Sequence, residues 1–177
     1  MSAPRDLGAY LGLLSREREL VRIQCEVDPE LELAEIHRRV IAAGGPALLF
    51  ERVKGCDFPL VTNLFGTQRR IERAFGPEPQ RLLAEVARLP QELVPPTLGK
   101  LWKKRELFLR LARVGAKERG DGAVTEVVEA PRLTRLPALR TWKRDGGRFF
   151  TLPLVSTRHP ETHVPNLGMY RIQVYDD

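Results

Sequence analysis

Hydrophobic positions recur along the first half of the chain at two periods, and each period predicts an element. Asp6 precedes Leu7, Tyr10, Leu11 and Leu14, a spacing of three and four that predicts a helix capped by the Asp6 carboxylate. Over residues 20–26 the period falls to two. Val21, Ile23 and Cys25 alternate with Arg22, Gln24 and Glu26, which predicts a half-buried strand. Asp28-Pro29 then reads as an N-cap followed by proline at the first helical position, opening a helix that buries Leu33, Ile36, Val40 and Ile41. Gly44-Gly45-Pro46 stops it. Short strands are predicted over residues 47–50 and 59–63, around a turn at Lys54-Gly55. Thr67 caps a short helix carrying Ile71, Ala74 and Phe75. Further helices are predicted over residues 79–89 and, past a linker marked by Pro90, Pro95 and Pro96, from Leu98 to near Gly115.

The pattern then changes. Residues 115–122 are polar and glycine-rich, and β-type runs follow at 124–128, 149–156 and 168–175. Pro131, Pro137, Asp145-Gly146-Gly147 and Pro160 punctuate them. This predicts an α/β (α+β) chain with a mixed α/β domain over residues 1–118 and the start of a β-rich domain over 119–177. A β-rich segment of that length is too short to close a barrel around its own core.

Composition narrows the class. Of 177 residues, 42% are hydrophobic and 29% charged, as in a soluble globular protein. No apolar run approaches the roughly 18 residues of a membrane-spanning helix. Asp6, Gly8 and Gly12 interrupt any signal-peptide core. Cys25 and Cys56 read as free thiols in a reducing compartment, so a cytoplasmic protein is expected. The net charge of +6 gathers at Arg69-Arg70 with Arg73 and at Lys103-Lys104-Arg105. Without interleaved aromatics or a recognition motif, these clusters read as solvated helix faces and no nucleic-acid partner is expected. The same charge can draw in carboxylate substrates and phosphate-bearing cofactors.

Candidate chemistry is sparse. His159 and His163 have the spacing of a helical metal pair, but Pro160 and Pro165 argue for a loop. His37 reads as a boundary residue of its helix. No phosphate-binding glycine loop or nucleophile elbow occurs. Gly146-Gly147 is adequately explained as a hairpin turn. On pattern alone Asn166 and Arg171 are an asparagine opening a strand and an arginine within it. Their chemistry still suits a phosphate-bearing cofactor. An amide oxygen is a hard neutral ligand for magnesium or manganese, and a guanidinium forks onto carboxylate or phosphate.

An ordered set of segments resembles the UbiD-type decarboxylases. The set runs through Glu19-Leu20-Val21-Arg22-Ile23, Glu26-Val27-Asp28-Pro29, Gly45-Pro46-Ala47-Leu48-Leu49-Phe50-Glu51, Asn63-Leu64-Phe65-Gly66-Thr67 with Arg70, Trp142, residues 145–162, and Asn166-Leu167-Gly168-Met169-Tyr170-Arg171. The resemblance implies an N-terminal α/β domain and then the start of a split-β-barrel domain that binds prenylated FMN. It implies reversible decarboxylation of aromatic or α,β-unsaturated carboxylic acids, a carboxy-lyase activity used in some members for quinone biosynthesis. It implies Asn166 as ligand to a divalent metal, Mn2+ or Mg2+, with K+ as a further ion. Met169, Tyr170 and Arg171 would line the cofactor, with Arg171 also catalytic. A flavin prenyltransferase as cofactor supplier and a homo-oligomer are implied too.

The family's downstream metal-binding glutamate, acidic proton donor and C-terminal domain have no counterpart here. The expectation is therefore an N-terminal fragment, inactive alone: part of a longer chain, a proteolytic product, or one subunit of a split enzyme. The other class of function is a non-catalytic assembly or binding subunit of a split complex. Asn166 and Arg171 are five apart, which places them on opposite faces of a regular strand. A shared site needs Asn166 at a loop–strand junction or a bulge at Gly168.

Overall fold

The computed structural model describes residues 3–95, 97–112, 120 and 122–176. They fall into two compact units, one of residues 1–74 with 131–177 and the other of residues 75–130. The boundary expected between residues 118 and 119 lies outside the described residues.

In the first unit, α1 (Leu7–Arg16) begins where its cap predicts, with Asp6 Oδ1 accepting from Ala9 N at 2.7 Å. Tyr10 and Leu14 are buried, but Leu7 is exposed, so the apolar stripe is narrower than its spacing predicts. β1 (Leu20–Val27) pairs parallel to β2 (Ala47–Val53), and β2 pairs antiparallel to β3 (Leu60–Thr62). α2 (Glu32–Ala42) makes the crossover that a parallel pair requires. The β1–β2 register shifts between Ile23 and Glu26. Of the face expected to be half-buried, Val21 and Cys25 are exposed, Ile23 is half-buried, and Val27, two positions past Cys25, is the residue that reaches the core.

α2 starts at Glu32, later than Asp28-Pro29 predicts. Residues 29–31 serve a different purpose, because their backbone bridges to Arg140. Leu31 N donates to Arg140 O at 3.0 Å, and Arg140 N to Pro29 O at 3.2 Å. Asp28 shapes this turn by accepting from Glu30 N at 2.8 Å and Lys54 Nζ at 2.8 Å. Ile41, expected on the buried face of α2, is exposed. The core is Val27, Leu33, Leu48, Phe50 and Val53, closed by Leu139 from the distant C-terminal segment. Full burial of Leu33 or Phe50 is worth about 2–3 kcal/mol each.

The arginines of α3 (Gln68–Phe75) correct the expectation of a solvated face. Arg70 is 1% exposed. Its Nη1 donates to Glu19 Oε2 at 2.9 Å and its Nη2 to Gly45 O at 3.2 Å. Arg69 and Arg73 both pair with Glu17, at 3.1 and 2.9 Å. Asn63 Nδ2 donates to Gly45 O and Pro46 O at 3.1 and 2.9 Å. Any side chain at Gly66 would begin 1.8 Å from Asn63 Oδ1. Asn63 and Arg70 thus form a buried polar joint between α3 and the start of β2.

Residues 131–176 attach to this core through Leu139, which packs into it, and through backbone bonds from Arg140 to residues 29–31 and from Asp57 N to Arg135 O at 3.0 Å. Within the segment, Leu139 and Phe149 exchange two hydrogen bonds of 2.9 Å. The strands are β4 (Arg148–Phe150), β5 (Leu154–Arg158), β6 (Pro165–Met169) and β7 (Ile172–Val174). They form two antiparallel ladders, β4 with β7 and β5 with β6. The two long strands predicted here are each broken, at residues 151–153 and at Tyr170-Arg171, as the chain passes from one ladder to the other. No closed barrel forms among the described residues.

In the second unit, α4 (Glu78–Leu93) runs through Pro90, which was expected to open a linker. The single helix predicted from Leu98 is two helices, α5 (Leu98–Lys103) and α6 (Arg105–Ala112); its expected end at Gly115 lies outside the described residues. Residues 124–128 are not a strand. A 3-10 turn covers Ala123–Thr125, and among the described residues no strand pairs with this run to hold it extended. No described helix is long and apolar enough to cross a membrane.

Candidate functional site

The candidate residues lie on β6 and on the two-residue break after it. Along β6 the register is regular, pairing Thr157 with Asn166, Val155 with Gly168 and Leu154 with Met169. Gly168 therefore marks no bulge, and Asn166 is the second residue of the strand. The glycine has another cause: a Cβ there would lie 2.4 Å from the Tyr170 ring and 2.8 Å from its hydroxyl. The Tyr170 ring folds back over the face that Gly168 leaves bare. Strand alternation puts Asn166 on that same face, and Leu167 and Met169 on the other. Asn166 and Tyr170 thus share a face, and Met169 is turned away from them. Met169 and Tyr170 are 60% and 54% exposed.

Arg171 leaves the strand and enters a corner built from residues 141–149. Asp145 accepts from Arg171 Nη2 at 2.6 Å on Oδ2 and from Nη1 at 3.2 Å on Oδ1. Nη2 also donates to Thr141 Oγ1 at 3.0 Å. The guanidinium lies 3.7 Å above the Phe149 ring centroid. Asp145 is held in turn by Thr141 N, Thr141 Oγ1 and Trp142 N, at 3.2, 2.9 and 3.0 Å. The hydrogen bonds from Arg171, then those from Thr141 and Trp142, hold the Asp145 carboxyl well below the usual carboxylate range, although partial desolvation opposes them.

The corner is braced from α2. Arg38 Nη1 donates to Thr141 O at 3.1 Å, and its guanidinium stacks 4.8 Å from the Trp142 ring. A cleft of about 760 Å³ opens between α2 and residues 141–144. Two of its three arginines, Arg38 and Arg39, are already paired with Glu35. Burial pushes the His37 imidazole down, with the nearby Arg38 charge acting in the same direction. In the β5–β6 turn, His159 Nδ1 accepts from Glu161 N and Thr162 N, each at 3.2 Å, so the ring organises the hairpin.

Asp145, the partner of Arg171, is the residue of this corner that sequence reasoning misses. Read locally, Asp145-Gly146-Gly147 is a turn and nothing more. An aspartate ahead of two glycines is the only local signal, because its partner lies 26 positions away.

The residues suit the implied groups unequally. Exposed Tyr170 beside a fixed guanidinium offers apolar and cationic contacts for a flavin, whereas Met169 lies on the other face of β6. For a divalent metal, Asn166 offers one neutral oxygen where magnesium takes about six ligands. Among the described residues no group of three or more His, Cys, Asp or Glu stands together to hold a metal ion.

Comparison with known proteins defines the class. The family model for the 3-octaprenyl-4-hydroxybenzoate carboxy-lyase N-terminal domain matches residues 11–89, and that for the same family's Rift-related domain matches residues 116–177. The chain belongs to the UbiD carboxy-lyase family. A Chlamydia pneumoniae protein described as a 4-hydroxybenzoate decarboxylase subunit is 44% identical over 96% of this chain and 29% of its own length. Vanillic acid decarboxylase of Sedimentibacter hydroxybenzoicus, in closed form, superposes with a TM-score of 0.70 at 26% identity, over 99% of this chain and 36% of that one. The UbiD-class enzyme HmfF from Pelotomaculum thermopropionicum, in complex with prenylated FMN, gives 0.63 at 25% identity, over 96% of this chain and 36% of that one. The chain thus spans about a third of the proteins it matches.

Proposed function

We propose that this chain forms the N-terminal part of a prenylated-FMN-dependent decarboxylase of aromatic or α,β-unsaturated carboxylic acids. The observation that carries this reading is the cluster at the end of β6: Asn166 and Tyr170 on one face, and Arg171 fixed at the adjacent break. It also rests on flavin-containing relatives of the same fold. The bound cofactor supplies an electron sink for the bond that releases carbon dioxide. Tyr170 offers an apolar contact to the ring system, whereas Met169, which the resemblance also implies as a cofactor contact, lies on the other face of β6. Arg171 meets an anionic substrate or cofactor group with a guanidinium whose direction is already set. Asn166 would contribute one oxygen ligand to a divalent metal. The domain division at 118/119, a homo-oligomeric and cytoplasmic enzyme, and cofactor supply by a flavin prenyltransferase belong to the same proposal.

Since the chain spans about a third of its relatives, turnover requires the polypeptide that supplies the remainder. The isolated chain with prenylated FMN, Mn2+ and a panel of cinnamic and hydroxybenzoic acids is expected to release no carbon dioxide. Joined to or mixed with the completing polypeptide, it is expected to do so, and Asn166→Ala is expected to lose metal and cofactor on gel filtration. Steady carbon dioxide release by the isolated chain overturns the fragment reading. A completed protein that never retains flavin favours the second reading, a non-catalytic assembly component. The exposed Leu154, Leu167 and Met169 on the β5–β6 ladder would suit such a docking role.

A further inference from the structure

Arg171 has no strand to aim it. β6 ends at Met169 and β7 begins at Ile172, so the two residues between them lack the alternation that fixes side-chain direction in a ladder. An arginine in such a link is mobile unless its head group is caught. Here it is caught on three sides: the Asp145 carboxylate takes the two-nitrogen end of the fork, Thr141 Oγ1 takes the second Nη2 proton, and Phe149 lies beneath the plane.

The catch is rigid because each part is tied to the core. Asp145 accepts three further hydrogen bonds from Thr141 and Trp142. Phe149 is backbone-paired to Leu139, which is buried in the apolar core. Thr141 is gripped by Arg38 of α2.

We infer that Asp145 is the positioning residue for Arg171: it fixes the guanidinium and occupies its bidentate end, so that an incoming anion meets only the Nε–H and the outer Nη1–H. This rests on the role proposed above for Arg171. It has a specific consequence. A carboxylate substrate cannot take the fork end-on while Asp145 holds it, so Arg171 orients the acid without binding it at full strength. Removing the Asp145 charge frees the fork, which strengthens ground-state binding and loosens the reactive geometry.

The test has two arms. In the first, the 177-residue chain is labelled with 15N-arginine. Wild type is expected to show Arg171 guanidinium protons slowed in exchange, and Asp145→Asn is expected to lose them. Arg171 signals identical in the two proteins overturn the inference. In the second arm, the completed enzyme is assayed. Asp145→Asn is expected to lower kcat about tenfold with KM unchanged or lower. Thr141→Val, which removes one of the three contacts, is expected to do the same to a smaller degree. Asp145→Glu is expected to restore part of the rate, because the charge returns on a longer arm. Unchanged kcat in Asp145→Asn overturns the inference. So does a raised KM accompanied by a lowered melting temperature, the mark of a structural role alone. If Arg171→Ala keeps wild-type turnover, the role proposed for Arg171 is what fails, and the first arm still decides whether Asp145 holds it.

Discussion

β2 and β6 are both strands with an apolar face, and they end in opposite environments. In β2, Ala47, Leu48, Leu49 and Phe50 are all buried, with α2, the neighbouring strands and Leu139 against them. In β6, Leu167 and Met169 are 67% and 60% exposed. Backbone pairing is regular along the β2–β3 and β5–β6 ladders alike. What differs is the cover over the side chains. A ladder sets which residues share a face, and burial has to come from a second layer. The sheet region is therefore a finished core, whereas the β5–β6 ladder presents an apolar face to whatever partner layer it acquires.

The sharpest way to break this contrast is to truncate one residue in each region. Phe50→Ala removes a fully buried ring and is expected to cost about 3–5 kcal/mol in urea unfolding. Leu167→Ala removes a side chain already in water and is expected to change stability by less than about 0.5 kcal/mol. Comparable losses at the two positions would mean that β6 is covered in solution, for instance by a second copy of the chain.

The next effect in size concerns the buried joint beside the sheet. Glu19→Gln leaves the Arg70 guanidinium buried without its counter-charge and is expected to cost about 3 kcal/mol. Arg69→Ala, which removes a more exposed arginine from the neighbouring pairs, is expected to cost less than about 1 kcal/mol. Equal small losses would show that Arg70 reaches water.

The same contrast explains what could be read from the sequence. Elements with a local cause were legible: the Asp6 cap, the glycine stop after α2 and the Thr67 cap of α3 each act within a few residues. Errors arose where a distant segment imposed the outcome. Pro29 sits in a bridge to Arg140 rather than at the start of a helix. Arg70 looked like surface because Glu19 is 51 positions away. The long strands over 149–156 and 168–175 have continuous β-type patterns, but each is shared between two ladders and must break where it changes partner. At the site, the motif from Asn166 to Arg171 was visible as chemistry. The Gly168–Tyr170 contact and the Asp145 partner of Arg171 were not, since neither leaves a periodic trace.

The smallest expected effect probes how firmly the C-terminal corner is tied to the sheet, and pH is the means. Asp145 has its carboxyl held low, first by the hydrogen bonds from Arg171. An unfolded aspartate titrates near pH 4. A carboxylate lowered on folding stabilises the native state fully above that unfolded value, and the contribution is lost as pH falls through the lower folded value. The stability difference between wild type and Asp145→Asn is therefore expected to stay level from about pH 8 to 5 and to shrink below about pH 4. Because the pair stands at the surface, the difference is expected to be smaller than either effect above, and to weaken further in high salt. Hydrogen exchange read over the same range is expected to show β4 and β7 loosening on acidification before the parallel sheet does. A difference that grows as pH falls would mean that Asp145 is bound in its protonated form, and that Arg171 is held in the corner by Thr141 and Phe149 alone.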